Sequence, residues 1–275
     1  MALATQTKAD PKAVAVARAV YDAVALDSVI LFGSRARGDY RPDSDIDLML
    51  IHDAPLSRDD YYKAGDAAYD AIEETFGKRG VVGVDLLLMS KSKYNQCRGG
   101  INHVASHAAR DGVDMNGEKP EYEPDPESFD WGDINQRVIN TDRELITLEG
   151  LIESNLPQEA IGFHAQQANE NILKAWISAV GLEYINTHDL EELLGIIKSV
   201  PDELVTPAGV ELRWLTEYAV KYRYQGAALV MDDPQMLFRM IDDAVAAIYE
   251  RIKALTGVDE LPRYTPPEQQ RGDGE

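Results

Sequence analysis

At 275 residues and 44% hydrophobic, the chain can build one large core or two modest ones, and its formal charge of −21, which falls mostly on residues 113–275, argues against broad binding of that half to a phosphate backbone. A single cysteine, Cys97, excludes an internal disulfide and a cysteine-based zinc cage. No apolar run reaches the roughly 18 residues needed to cross a bilayer, and the opening MALATQTKADPK lacks an apolar leader core, so a cytoplasmic protein without a membrane partner is expected.

The first predicted element is an amphipathic helix over 12–26, in which Val14, Ala17, Tyr21 and Val24 recur at spacings of three and four. Ser28 to Phe32, rich in β-branched and aromatic residues, reads as a strand that Gly33 ends. Residues 34–44 are dense in Arg, Gly, Pro and Asp and are expected to form a loop, after which 45–51 reads as a second strand opening on Asp45-Ile46-Asp47. A helix over 56–76 precedes a third strand over 81–89, apolar enough to be expected in the centre of a sheet, and a further helix near 93–110 closes the first unit.

Residues 113–133 hold three prolines and eight acids against one lysine, a composition that buries too little surface to fold alone and is expected to be a linker. Beyond it, helical spacing recurs over 134–154, 157–180, 188–200, 207–226 and 234–255, predicting an antiparallel bundle. Residues 256–275 are expected to be a disordered tail. The charge is uneven: 1–112 carry 14 Lys+Arg against 16 Asp+Glu, whereas 113–275 carry 13 against 32. Such acidity in the second half favours a cationic acceptor or partner over nucleic acid.

The chemistry concentrates in the first half. Side chains two apart on a strand share a face, so Asp45 and Asp47 present both carboxylates to one side. Asp85, the only charged residue in the 81–89 run, is the candidate third acid on a neighbouring strand. Three hard oxygen donors suit Mg²⁺ or Mn²⁺, with substrate phosphates completing the shell. Gly33 leaves room for a phosphate to approach the backbone, and Ser34 offers an amide and a hydroxyl. Arg35 and Arg37 add forked cationic donors suited to the charge on a departing pyrophosphate; ion pairs with Asp39 or Asp43 are the alternative.

The run Leu31-Phe-Gly-Ser-Arg-Ala-Arg-Gly-Asp-Tyr-Arg-Pro-Asp-Ser-Asp-Ile-Asp-Leu-Met-Leu-Ile51 resembles the signature of minimal nucleotidyltransferases of the DNA polymerase β superfamily, over roughly residues 10–112. The resemblance implies an α+β protein whose small mixed sheet carries catalytic, metal-binding roles for Asp45, Asp47 and Asp85 and nucleotide-binding roles for Gly33 and Ser34, with Arg35 and Arg37 following. It also implies transfer of a nucleoside monophosphate from an NTP, expected to be ATP, to an acceptor hydroxyl with release of pyrophosphate. Phe163 to Ala175, Thr187 to Leu190 and Tyr218 to Tyr224 are similar to HEPN helical domains, and the pairing resembles the layout of kanamycin nucleotidyltransferase-like enzymes. Ribonucleases of the HEPN family use an Arg followed roughly five to seven residues later by His, a pair that the late helices lack. The bundle is therefore expected to shape an acceptor site or a homodimer interface. A non-catalytic, antitoxin-like nucleotide-binding protein is the alternative reading.

Overall fold

The computed structural model describes residues 8–117, 122, 129–184, 187–201, 213–220 and 233–266. The chain divides into two compact units, 1–126 and 127–275.

In the first unit the helix α1 (Pro11–Ala23) starts where Asp10 accepts from the Lys12 amide and Pro11 fixes the first helical φ. The strand β1 (Ser28–Phe32) is buried along its whole length. Gly33 then turns the chain at φ 73° into a short helix, α2 (Gly33–Arg37), inside what the sequence presents as a loop. The strand β2 (Ile46–His52) returns antiparallel to β1, with Asp47 opposite Phe32. The helix α3 (Arg58–Phe76) runs from a Ser57 cap to Gly77 at φ 83° and leads to β3 (Val84–Ser90), parallel to β2.

The predicted helix near 93–110 is two helices, α4 (Lys91–Cys97) and α5 (Val104–Asp111). Gly99 and Gly100 interrupt it, and His103 caps α5 by accepting from the Ala105 amide at 3.1 Å. A two-residue strand, β4 (Val113–Asp114), pairs with β1. The mixed sheet has the order β3-β2-β1-β4, so β3 is an edge strand, not the central one expected. Its apolar run misleads because Val84 and Leu86 are covered by helices on one face, while Leu87 and Leu88 remain 39% and 43% exposed. One core lies under α1 and α3, with Val16, Val20, Leu48 and Leu50 fully buried. A second, on the opposite face, joins Ile30, Met49 and Ile51 to Tyr94, Cys97 and α5.

The second unit is helical: α6 (Trp131–Glu153), α7 (Gln158–Ala179), α8 (Leu190–Lys198), a 3₁₀ turn (Arg213–Leu215) running into α9 (Thr216–Val220), and α10 (Pro234–Thr256). The expected linker 113–133 is structured at both ends, since Val113–Asp114 form β4 and α6 begins at Trp131. Most of the fourth predicted helix, with Tyr222 and Tyr224, lies outside the described residues. α7 is the central helix, with Ile172, Leu173, Trp176 and Ile177 in the core beside Leu193, Ile241 and Ile248. The expected tail is docked as far as Tyr264: Asp142 on α6 pairs with Arg263 at 3.0 Å, accepts from the Tyr264 amide at 3.0 Å and receives the Tyr249 hydroxyl at 2.9 Å. Residues 267–275 of that tail lie outside the described residues.

Candidate active site

Strand register brings the acids together. In the parallel β2–β3 pair Asp47 and Asp85 are direct partners, so both side chains rise from one face with strand axes about 4.8 Å apart. Asp45 stands immediately before β2, where the Ile46 amide donates to the Gly83 carbonyl at 2.9 Å. Two glycines fit the carboxylates closely: a Cβ on Gly33 would overlap Asp47 Oδ2, and one on Gly83 would overlap Asp45 Oδ1. Gly83 was not singled out by the sequence. Its position two residues before Asp85 is the signal that could have found it.

Asp45 and Asp85 are exposed and Asp47 is partly buried. Burial, then the charges of Asp85 and Asp45, push the Asp47 carboxyl up to about 6, and Arg37 opposes the shift. Three acids thus crowd one face, with Arg37 the cation acting on Asp47 among the described residues. Among the described residues no three His, Cys, Asp or Glu side chains are drawn into a ready-made metal cage. The donor set nevertheless fits a hard divalent cation that arrives with phosphate oxygens, because Mg²⁺ characteristically takes one or two carboxylates and completes its shell from substrate and water. Such a cation would also relieve the repulsion that raises Asp47.

The two arginines part company. Arg37 is 43% exposed, lies 3.3 Å from Asp39 and acts electrostatically on Asp47. Arg35 is 1% exposed and faces inward. Its guanidinium pairs with buried Asp10, donates to the Ser44 carbonyl at 2.9 and 2.7 Å and to the Pro42 carbonyl at 3.3 Å, and lies against the rings of Tyr40 and Phe76. Its expected phosphate contact is therefore replaced here by a positioning role: it ties the start of α1 to the segment that delivers Asp45. Asp10 was missed because nothing local distinguishes a helix cap from the partner of an arginine 25 residues away. Ser34, the second residue of α2, is half-buried, and its carbonyl accepts from the amides of Gly38 and Asp39 at 2.8 and 3.2 Å.

Besides Asp142, buried charge networks surround Asp133 and Glu170 among the described residues of the second unit. Asp133 receives Ser178 Oγ at 2.7 Å and the Tyr184 hydroxyl at 2.8 Å, and pairs with Arg137 at 3.3 Å. Glu170 pairs with Lys174 at 2.7 Å, accepts from Gln166 at 2.8 Å and lies 3.0 Å from His188 Nδ1. Burial alone would raise Glu170, but Lys174, Gln166 and His188 outweigh it and hold it below the ordinary carboxylate range. His188 precedes the cap of α8, a place taken by Asp189, which accepts from the Glu191 amide at 2.8 Å. Residues 16–98 match the family model of a nucleotidyltransferase domain, and residues 140–255 match that of a HEPN domain. No curated protein matches the chain significantly. No helix among the described residues is long and apolar enough to cross a membrane.

Proposed function

Because this chain is a nucleotidyltransferase with a HEPN domain behind the transferase domain, we propose that it transfers AMP from ATP to an acceptor hydroxyl in a divalent-metal-dependent reaction at Asp45, Asp47 and Asp85. The observation that carries this reading is the register Asp47↔Asp85, which sets two carboxylates side by side next to a third. Asp45 and Asp47 would hold the cation with the nucleotide, and Asp85 would complete the donor set on the acceptor side. A bound Mg²⁺ or Mn²⁺ supplies positive charge against the α-phosphate and lowers the cost of a deprotonated acceptor oxygen.

The chain's own residues do the rest. Gly33 leaves the backbone bare beside Asp47, Ser34 offers its amide and hydroxyl to triphosphate oxygens, and Arg37 sets positive charge near the departing pyrophosphate. The acceptor oxygen bonds to the α-phosphorus as the bond to the bridging oxygen breaks, and its proton passes to the Asp85 carboxylate. Arg35 keeps Asp45 in place without touching substrate. A cationic small molecule or a protein is a better acceptor for so acidic a chain than RNA.

The test is incubation of the full chain with each α-labelled NTP, Mg²⁺ and cell extract, beside an Asp45→Ala/Asp47→Ala variant and a chelator control. Label moving only with wild type and metal supports the reading. Nucleotide binding without transfer from any of the four NTPs would overturn it in favour of a binding protein.

A further inference from the structure

Among the described residues the sheet ends at β3, whose outer edge is open. A cavity of about 530 Å³ lies between the edge strand and α3, lined by Tyr61, Tyr62, Asp66 and Tyr69 and by residues 84–87. Since the Gly83 carbonyl is turned towards β2, alternation along the strand points the amides and carbonyls of Val84, Leu86 and Leu88 to the open edge. No described strand pairs with that edge. It is also apolar, with Leu87, Leu88, Tyr61 and Tyr62 all more than a third exposed.

Charge narrows the occupant. Arg79 lies 5.5 Å from the Tyr69 ring and within 3.6 Å of Asp66 and 3.7 Å of Asp70, so this acidic, aromatic wall already accommodates one guanidinium of the chain itself. We propose that β3 receives an extended segment of a protein substrate as an added strand, with a Ser, Thr or Tyr opposite Asp85 as the nucleotide acceptor and Lys or Arg flanking it. Residues directly opposite on neighbouring strands share a face, so the hydroxyl residue would rise beside Asp85 and Asp47. Its immediate neighbours would turn to the face that carries Val84 and Leu86, beside the tyrosines and Asp66 of α3. The hydroxyl oxygen bonds to the α-phosphorus, pyrophosphate leaves with the bridging oxygen, and the hydroxyl proton goes to Asp85. This inference rests on the nucleotidyl transfer proposed above and names its acceptor.

The experiment uses the full chain with Mg²⁺, α-labelled ATP and peptides of about ten residues that alternate Val and Lys around one central Ser, Thr or Tyr. The expected result is a labelled hydroxyl and a period of two in an N-methyl scan of the peptide: methylation lowers labelling at least tenfold at every second amide and little between. Tyr62→Lys, at a side chain 53% exposed, is expected to lower kcat/KM for the peptide about tenfold, mostly through KM. Labelling that ignores backbone methylation, or label passing to polyamines or RNA and not to peptides, overturns the strand-addition proposal and leaves nucleotidyl transfer standing. Absence of label on every acceptor, cell extract included, overturns both.

Discussion

The helical unit and the acid cluster of the sheet unit treat charge in opposite ways. In the helical unit Glu170 and Asp133 are each enclosed by several donors, a cation among them. In the sheet unit Asp47 is partly buried beside two like charges, with one exposed arginine acting against them. An enclosed and compensated carboxylate is scaffolding, whereas a crowded one fits the proposed role of receiving a cation that is not part of the chain. Burial alone does not separate the two cases; the sign of the neighbours does.

Asp47→Asn should lower transfer about 10³-fold or more, a loss on the order of 4 kcal/mol of transition-state stabilisation, read as kcat/KM with α-labelled ATP. Retention of a tenth of the activity would mean that Asp47 is not a working ligand. In the helical unit, Lys174→Met strands Glu170 and should destabilise the fold by about 3–5 kcal/mol in urea unfolding, while the double variant Glu170→Met/Lys174→Leu should recover most of that loss. If the single and double variants are equally unstable, packing and not charge sets the cost.

Arg35→Lys should cost about 1–3 kcal/mol, since an ammonium cannot serve Asp10 and two carbonyls with the same planar fork. It should also lower activity without weakening nucleotide binding to the same extent, as expected of a residue that positions Asp45.

The smallest effect is the most diagnostic in sign. The folded chain keeps a proton on Asp47 up to about 6, whereas the unfolded chain releases it near 3.8, so metal-free stability should fall as pH rises between those values. Asp47→Asn should remove that loss, leaving the metal-free protein about 1–2 kcal/mol more stable than wild type at neutral pH once solvent screening is discounted. Glu170 runs the other way: its lowered value gives stability that is present above the ordinary glutamate range and is lost as the solution is acidified through its folded value. Urea midpoints of wild type and Asp47→Asn across pH 4 to 8, with and without Mg²⁺, isolate the Asp47 contribution; a stabilising effect of Asp47→Asn that persists in saturating Mg²⁺ would contradict the metal-ligand role.

Much of this was legible in the sequence where the signal is local. β1 was expected at Ser28–Phe32 and found there, and α10 differs from its expected span by one residue at its end. What failed depends on distant partners. An apolar run such as 81–89 looks the same whether strands flank it on both sides or helices cover one face, so β3 was misplaced to the centre of the sheet. The same holds for Arg35, whose acid comes from the start of α1, and for the supposed tail, whose Arg263 and Tyr264 are held by Asp142 on α6.

The parallel alignment of β2 with β3 carries a kinetic corollary. β3 has one strand neighbour among the described residues, and pairing on one side specifies register less firmly than pairing on two. A slip of one residue would turn Asp85 to the opposite face, and a slip of two would carry it about 7 Å along the strand, in either case without undoing the helices. Molecules refolded in the wrong register would then be compact, helical and silent. For this chain, specific activity per folded molecule, followed through refolding, doubles as a reporter of strand alignment that circular dichroism cannot supply.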